Sequence, residues 1–336
     1  MPSNESIKIR DFFHLAIIKD MNKAMKHFWH EFGIGPWGIM ELFKSETEKM
    51  TLYGEPAATI IKGAMTTVGP LNLVIDDPMG EPHPYVDVLK RGGGGHHMAF
   101  AVEDYEQACK EMKKKGYTEI SKAEGIGETG DGAGTYFDTI ENMGTVIEFD
   151  RMPKEFPLPD EIYPPSGEQT ISSKIKLKGL VHVCIAVKDS EKTAKYYEEE
   201  LGIGPWRIMT MNTEGVDVIY KGKEASITIK GASAMFGQTE VVLEQSLTSP
   251  SHLQDFIDEH GQGIHHLCFA VDDLDVATKE MHQLGYDTIL SVSGFGPNGD
   301  GFATHFDTQE NLGIIIELAR VPTGFGGRSI PGENDS

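Results

Sequence analysis

Gly263-Ile264-His265-His266-Leu267-Cys268-Phe269-Ala270-Val271 carries the pattern on which the rest of the chain is built. It has the apolar, strand-forming composition of a buried strand, carries a histidine pair, and runs into an acid-capped helical segment. Gly95-His96-His97-Met98-Ala99-Phe100-Ala101-Val102 repeats it 169 residues earlier. Two single-histidine relatives stand at Phe13-His14-Leu15-Ala16-Ile17 and Val181-His182-Val183-Cys184-Ile185. A histidine that recurs at one place in one unit points to something these histidines hold in common.

Each of these strands leads into a helix with readable ends. Asp20 is the expected N-cap of a helix over residues 21–32, and Gly33 its stop. The second helix spans 104–115 and is closed by Gly116. The third runs from an Asp189 cap to Leu201 and Gly202, and the fourth over 274–284 to Gly285. Short strand candidates follow each helix. In the first unit they lie after Trp37 and at 52–53, 58–62 and 71–75; in the second they lie at 119–120, 134–137 and 145–149. Each unit therefore reads β-α-β-β-β.

Longer matches fix the organisation. Gly33-Ile34-Gly35-Pro36-Trp37 returns as Gly202-Ile203-Gly204-Pro205-Trp206, and Phe137-Asp138-Thr139 as Phe306-Asp307-Thr308, both displaced by 169. That period is far too long for a solenoid and indicates a tandem duplication. Within each half a weaker repeat of 83 or 84 residues links His14 to His97 and His182 to His266. The expected fold class is α+β: four β-α-β-β-β units paired into two tandem domains, residues 10–150 and 179–321. Residues 151–178, with Pro153, Pro157, Pro159, Pro164 and Pro165, read as a linker without regular ladders. Residues 322–336 read as a Gly- and Pro-rich tail.

Composition narrows the function classes. The chain has 336 residues, 39% hydrophobic, with a formal net charge of -22. A nucleic-acid partner is not expected, because phosphates require clustered Lys and Arg. No apolar run reaches the ~18 residues of a membrane span, and the polar first ten residues lack a signal-peptide core. Cys109, Cys184 and Cys268 are too few and too scattered for a disulfide framework, so a cytoplasmic location is expected.

A metal site needs donors converging from different elements. The leading strands offer His14, His97, His182 and His266. The closing strands offer Glu148 in Thr145-Val146-Ile147-Glu148-Phe149 and Glu317 in Ile315-Ile316-Glu317-Leu318. A carboxylate alone in an apolar strand is costly to bury unless it is paired or binds a metal. The separation from His97 to Glu148 is 51 residues, and so is that from His266 to Glu317. Two histidines and a glutamate per half suit Zn, Fe(II), Mn, Co or Ni with positions left open. A lone strand histidine is usually a core or edge residue, but the same pattern in both halves argues against coincidence. His96 and His265 belong to the opposite strand face from their neighbours. Cys184 and Cys268 lie on the ligand face, where the first half has Ala16 and Ala99. His305 stands where the first half has Tyr136 and is a candidate acid–base group. Gly130-Asp131-Gly132 and Gly299-Asp300-Gly301 read as hairpin turns. The glycines at 92–95 lack the context of a phosphate loop.

This pattern resembles the vicinal oxygen chelate superfamily, which includes glyoxalase I, methylmalonyl-CoA epimerase and extradiol dioxygenases. The Gly-Ile-Gly-Pro-Trp turn resembles that of epimerase-like and glyoxalase-like members. The resemblance covers about residues 11–150 and 180–320. It implies that paired units close into a cup around one divalent metal, held by two histidines, a final-strand glutamate and a further Gln or Glu. The first half then offers His14, His97 and Glu148, with Asn72 in the remaining place. The second offers His182, His266 and Glu317, with Val242 in that place and Glu240 and Glu244 beside it on the same strand face.

The resemblance implies an isomerase, epimerase or lyase that acts on a small carbonyl compound, an acyl thioester among the candidates, through a metal-stabilised enolate. Glu317, Glu244 and His305 are the candidate catalytic groups. An Fe(II)-dependent dioxygenase is the alternative that the His182, His266, Glu317 triad motivates. A metal-free small-molecule binding protein is the alternative that the missing fourth ligands motivate. A second copy of the chain is a candidate partner.

Overall fold

The computed structural model describes residues 7–43, 48–165 and 175–324. In the first half the order is β1 (Ile9–Ile18), α1 (Met21–Phe32), β2 (Trp37–Leu42), β3 (Lys49–Leu52), β4 (Glu55–Ala57), β5 (Ile61–Val68), β6 (Leu71–Pro78), α2 (Val86–Lys90), β7 (Gly94–Val102), α3 (Tyr105–Lys114), β8 (Glu119–Ile126), β9 (Gly132–Phe137), α4 (Ile140–Met143) and β10 (Val146–Arg151). A short β11 (Glu161–Tyr163) follows. The second half has β12 (Leu177–Ala186), α5 (Ser190–Leu201), β13 (Arg207–Asn212), β14 (Asp217–Tyr220), β15 (Lys223–Glu224), β16 (Thr228–Phe236), β17 (Thr239–Ser246), α6 (His252–His260), β18 (Gly263–Val271), α7 (Leu274–Gln283), β19 (Thr288–Phe295), β20 (Gly301–Phe306), α8 (Gln309–Leu312) and β21 (Ile315–Arg320).

The strands form two curled sheets of matching order. One runs β11-β2-β5-β6-β1-β7-β10-β9-β8-β3-β4, the other β13-β16-β17-β12-β18-β21-β20-β19-β14-β15. At the centre of each, the leading strands of the two units pair antiparallel, β1 with β7 and β12 with β18. Each leading strand also pairs in parallel with the closing strand of its own unit, β1 with β6 and β7 with β10, β12 with β17 and β18 with β21. Alternation then sorts the side chains. Leu15, Ile17, Met98, Phe100, Ile147 and Phe149 face the core, which sends His14, His97 and Glu148 to the other side.

The helix ends follow from their caps. The Asp20 carboxylate accepts from the Lys23 N–H at 2.9 Å, and Gly33 takes the left-handed conformation, φ 68°, that stops α1. Met21, Ala24, Met25, Phe28 and Phe32 form its buried stripe. The Gly-Ile-Gly-Pro-Trp turns are built alike: the Trp37 indole donates to Ile34 O and the Trp206 indole to Ile203 O, each at 2.8 Å.

Several features differ from the expectation. The β3–β4 hairpin, which the sequence assigns to the first unit, crosses to pair with β8 at the far edge of the second. The Pro-rich stretch after residue 151 does contribute a ladder, because Glu161–Tyr163 fall between its prolines and pair with Trp37–Ile39 of β2. Helices α2, α4, α6 and α8 stand where the sequence assigns none, and α6 is capped by the Ser251 hydroxyl. The expected tail lies outside the described residues from 325 onward.

The two halves share one apolar core. Phe236 sits at its middle, with ring centroids 5.8 Å from Phe12, 5.6 Å from Phe100, 5.5 Å from Tyr197 and 5.9 Å from Trp206. Among the described residues no helix is long and apolar enough to cross a membrane.

Candidate metal centres

Three adjacent strands bring the first set together. His14 Nε2 and His97 Nε2 are 3.1 Å apart, and the Glu148 carboxylate lies 3.4 Å from the first and 3.2 Å from the second. In the second half His182 Nε2 and His266 Nε2 are again 3.1 Å apart, with the Glu317 carboxylate at 3.4 and 3.0 Å. Residues separated by 51 to 135 positions thus meet with the same geometry twice.

The donor chemistry fits a divalent ion. Atoms bound to one ion at about 2.0–2.2 Å are roughly 2.8–3.6 Å apart at octahedral or tetrahedral angles. Each set also aims two imidazole nitrogens and a carboxylate oxygen at one point, an arrangement of lone pairs that a cation relieves. The outer nitrogens support it. His97 Nδ1 lies 2.9 Å from His96 Nδ1, and His266 Nδ1 lies 2.8 Å from His265 Nδ1. If Nε2 presents a lone pair to the centre, Nδ1 carries the proton and donates to the neighbouring ring. His96 and His265 therefore turn back from their own strand face to orient the inner ring.

The remaining position is a correction. Ala16 pairs with Val74, and Cys184 with Val242, each two residues beyond its histidine. Val74, not Asn72, is thus the counterpart of Val242, and neither valine can ligate. The Asn72 amide instead donates to Phe13 O at 2.8 Å, and its oxygen accepts from Thr67 at 3.0 Å. By the same register Glu240 corresponds to Asn72 and Glu244 to Asp76. Glu244 is buried beside the Cys184 thiol, which burial and that carboxylate push well up; the Cys268 thiol is likewise raised by burial and by Glu317.

The surroundings of the two sets differ. A cavity of about 160 Å³ adjoins His14 and Glu148. Met40, Leu42, Met50, Ile61 and Met65 line it, and Met152, Pro153, Phe156 and Pro157 from the stretch expected to be a linker form another wall. Two acids that sequence reasoning missed also line it. Asp76 is buried and accepts from the Tyr85 hydroxyl at 3.0 Å, and Tyr85 in turn contacts the Tyr136 hydroxyl at 3.1 Å. Burial raises the Asp76 carboxyl, with the charges of His97 and His14 and the Tyr85 bond partly offsetting it. Asp150 is pushed well up by burial and by Glu148. Glu148 itself is held below the usual carboxylate range: burial opposes this, and His14 and His97 outweigh it. A Cβ on Gly134 would stand 2.6 Å from Glu148 Oε1 and 2.9 Å from Asp150 Oδ1, so the glycine makes room for both acids. In the second half Ala303 pairs with Ala319 at that place.

Around the second set the residues are histidines. His305 Nε2 is 3.8 Å from the Glu317 carboxylate, and its ring lies 4.7 Å from that of His266 and 5.0 Å from that of His252. Burial depresses His305 to about 3 and His252 and His265 well below the histidine range. Glu317 is held well below the carboxylate range; burial opposes, and the charge of His305 with contacts from His182 and His266 prevails. No sequence signal marks His252, the first residue of α6.

Comparison with known proteins follows the same division. The sequence profile of the glyoxalase/bleomycin resistance protein/dioxygenase superfamily matches residues 13–137 and again 181–304. Mitochondrial methylmalonyl-CoA epimerase from Mus musculus is 26% identical over 156 residues, 46% of this chain and 80% of that protein. Its Homo sapiens counterpart is 28% identical over 152 residues, 45% and 78% respectively. Among solved structures, a mutant of 4-hydroxymandelate synthase from Streptomyces coelicolor superimposes with a TM-score of 0.59, covering 93% of this chain and 92% of its own, at 14% identity. The likeness to that synthase is one of fold, and the fold is the tandem vicinal oxygen chelate arrangement. With profile matches in both halves and the paired-unit sheet in each, the chain belongs to the glyoxalase/bleomycin resistance protein/dioxygenase superfamily.

Proposed function

We propose that this protein is a divalent-metal-dependent isomerase, epimerase or lyase of a carbonyl compound, with the substrate in the first cup. The observation that carries it is the His14–His97–Glu148 set beside an apolar-lined cavity that also holds a buried acid, Asp76. A divalent ion held by those three residues would lower the energy of an enolate formed from the substrate. The rest falls to the chain. The methionines, Leu42, Ile61 and Phe156 exclude water from the reacting carbon. Asp76, with its carboxyl raised by burial, takes a proton from that carbon and returns it, and Tyr85 fixes the carboxyl through its hydroxyl. Glu244 holds the corresponding place in the second half. The epimerase relatives favour an acyl thioester as substrate.

The test is isotope exchange. The metal-loaded chain in D2O, offered methylmalonyl-CoA and other carbonyl compounds, is expected to place deuterium at the carbon beside the carbonyl. Asp76→Asn should slow exchange by ~10²–10⁴-fold while metal content stays unchanged. Absence of exchange across the panel with Zn, Co, Mn and Ni would remove this reading. The three-donor His–His–Glu set is the observation that favours a second one, an Fe(II)-dependent dioxygenase. Oxygen consumption with Fe(II), and no turnover under anaerobic conditions, would select it.

A further inference from the structure

We propose that the second half holds its metal with four protein donors, His182, His266, Glu317 and His305, so that its site is closed while the first half's site stays open. The proposal rests on the reading of the triads as metal centres and goes beyond it, since the fourth donor comes from an unexpected strand. The valine on β17 leaves the usual place empty, and β20 fills it from the other side. His305 pairs directly opposite Glu317 in the β20–β21 ladder, which sets its imidazole over the carboxylate. Its Nε2 reaches within 3.8 Å of the carboxylate, and His266, His305 and Glu317 have donor atoms within 4.8 Å of one another.

The two ring nitrogens of His305 are buried. The residue is 5% exposed, and neither ring nitrogen has a hydrogen-bond partner among the described residues. Leaving two buried polar atoms unsatisfied is unfavourable, and coordination would satisfy one of them. The first half supplies the contrast at the same register. Tyr136 sits opposite Glu148, and its hydroxyl is engaged by Tyr85. Three donors leave positions for a substrate, whereas three imidazoles and one carboxylate would fill all four positions of a tetrahedral site. The larger neighbourhood agrees. The apolar cavity adjoins the three-donor set, and α6 with His252 packs against the four-donor one.

The experiment uses the full chain loaded with Co(II), whose visible spectrum reports coordination, and follows release to excess EDTA. Two Co(II) per chain are expected, one released fast and one slowly, the slow one with the spectrum of a tetrahedral site. His305→Gln should speed the slow phase by about 10–100-fold and leave the fast phase alone. Tyr136→His should slow the fast phase, which keeps the test decisive if His305→Gln fails to fold. Two phases unmoved by both substitutions would overturn the proposal, as would a single Co(II) that only His14→Ala removes. Those results leave the proposed activity standing, because it is judged by deuterium exchange and not by release rates. Failure of the chain to bind any Co(II) would overturn both.

Discussion

Glu148 is under two opposing influences, and acid pH separates them. Burial favours its neutral form, while His14 and His97 favour the carboxylate and win. Its folded pKa is therefore below the unfolded value of ~4.3. In that window the unfolded chain binds more protons, so stability rises with pH. The contribution is complete above the unfolded pKa and is lost as pH falls through the folded one. Urea unfolding of the metal-free protein from pH ~3 to 7 should show a steep acid limb that Glu148→Gln flattens; an unchanged limb would mean that the two histidines do not hold the charge. This carboxylate was legible in the sequence because an acid alone in Val146-Ile147-Glu148-Phe149 contradicts its strand, and the contradiction recurs 169 residues later. Asp76 was not legible. Asp76-Asp77 at the end of a strand reads as an ordinary solvated terminus, and only the pairing of Ile18 with Asp76 turns it into the cup. His305 is an acid–base candidate from its sequence position, but its place directly opposite Glu317 is not legible there, because spacing ranks residues along one strand and this pairing runs across a ladder.

Elements that announce their own ends were readable, and elements defined by distant partners were not. The helices over 21–32 and 190–201 each carry an Asp cap and a glycine stop within the local sequence, and the structure places both ends there. The β3–β4 hairpin has no such signal of destination. Its strands are four and three residues long, and what orders them is β8, some 70 positions away. Helix α6 lies in a stretch to which the sequence assigns no element, although its Ser251 cap is local: the hydroxyl accepts from Gln254 N–H at 3.1 Å. A cap that is exposed and local should act independently of the site. Asp20→Ala is expected to cost about 1 kcal/mol in denaturant melts, with metal content unchanged. A loss of metal on this substitution would show that α1 positions β1, and with it His14, through more than packing.

The two halves bury their helix-covered faces against each other, so the duplicated chain has two cups but one interior. Phe236 is the contact on which this is most exposed to test, since four aromatic rings from both halves surround it and it is 3% exposed. Removing it leaves a cavity that neither half can fill alone. Phe236→Ala should lower stability by ~3–5 kcal/mol, and the loss should fall on both halves together. Tryptophan placement allows this to be read. The chain has Trp29 and Trp37 in the first half and Trp206 in the second, so in a Trp206→Phe background fluorescence reports the first half alone. A shared core requires that Phe236→Ala move that first-half signal by the same amount as the far-ultraviolet signal of the whole chain, in one transition. If the fluorescence midpoint stays in place while the overall signal splits, the halves unfold separately. A metal bound in one half could then not support the other through the common core.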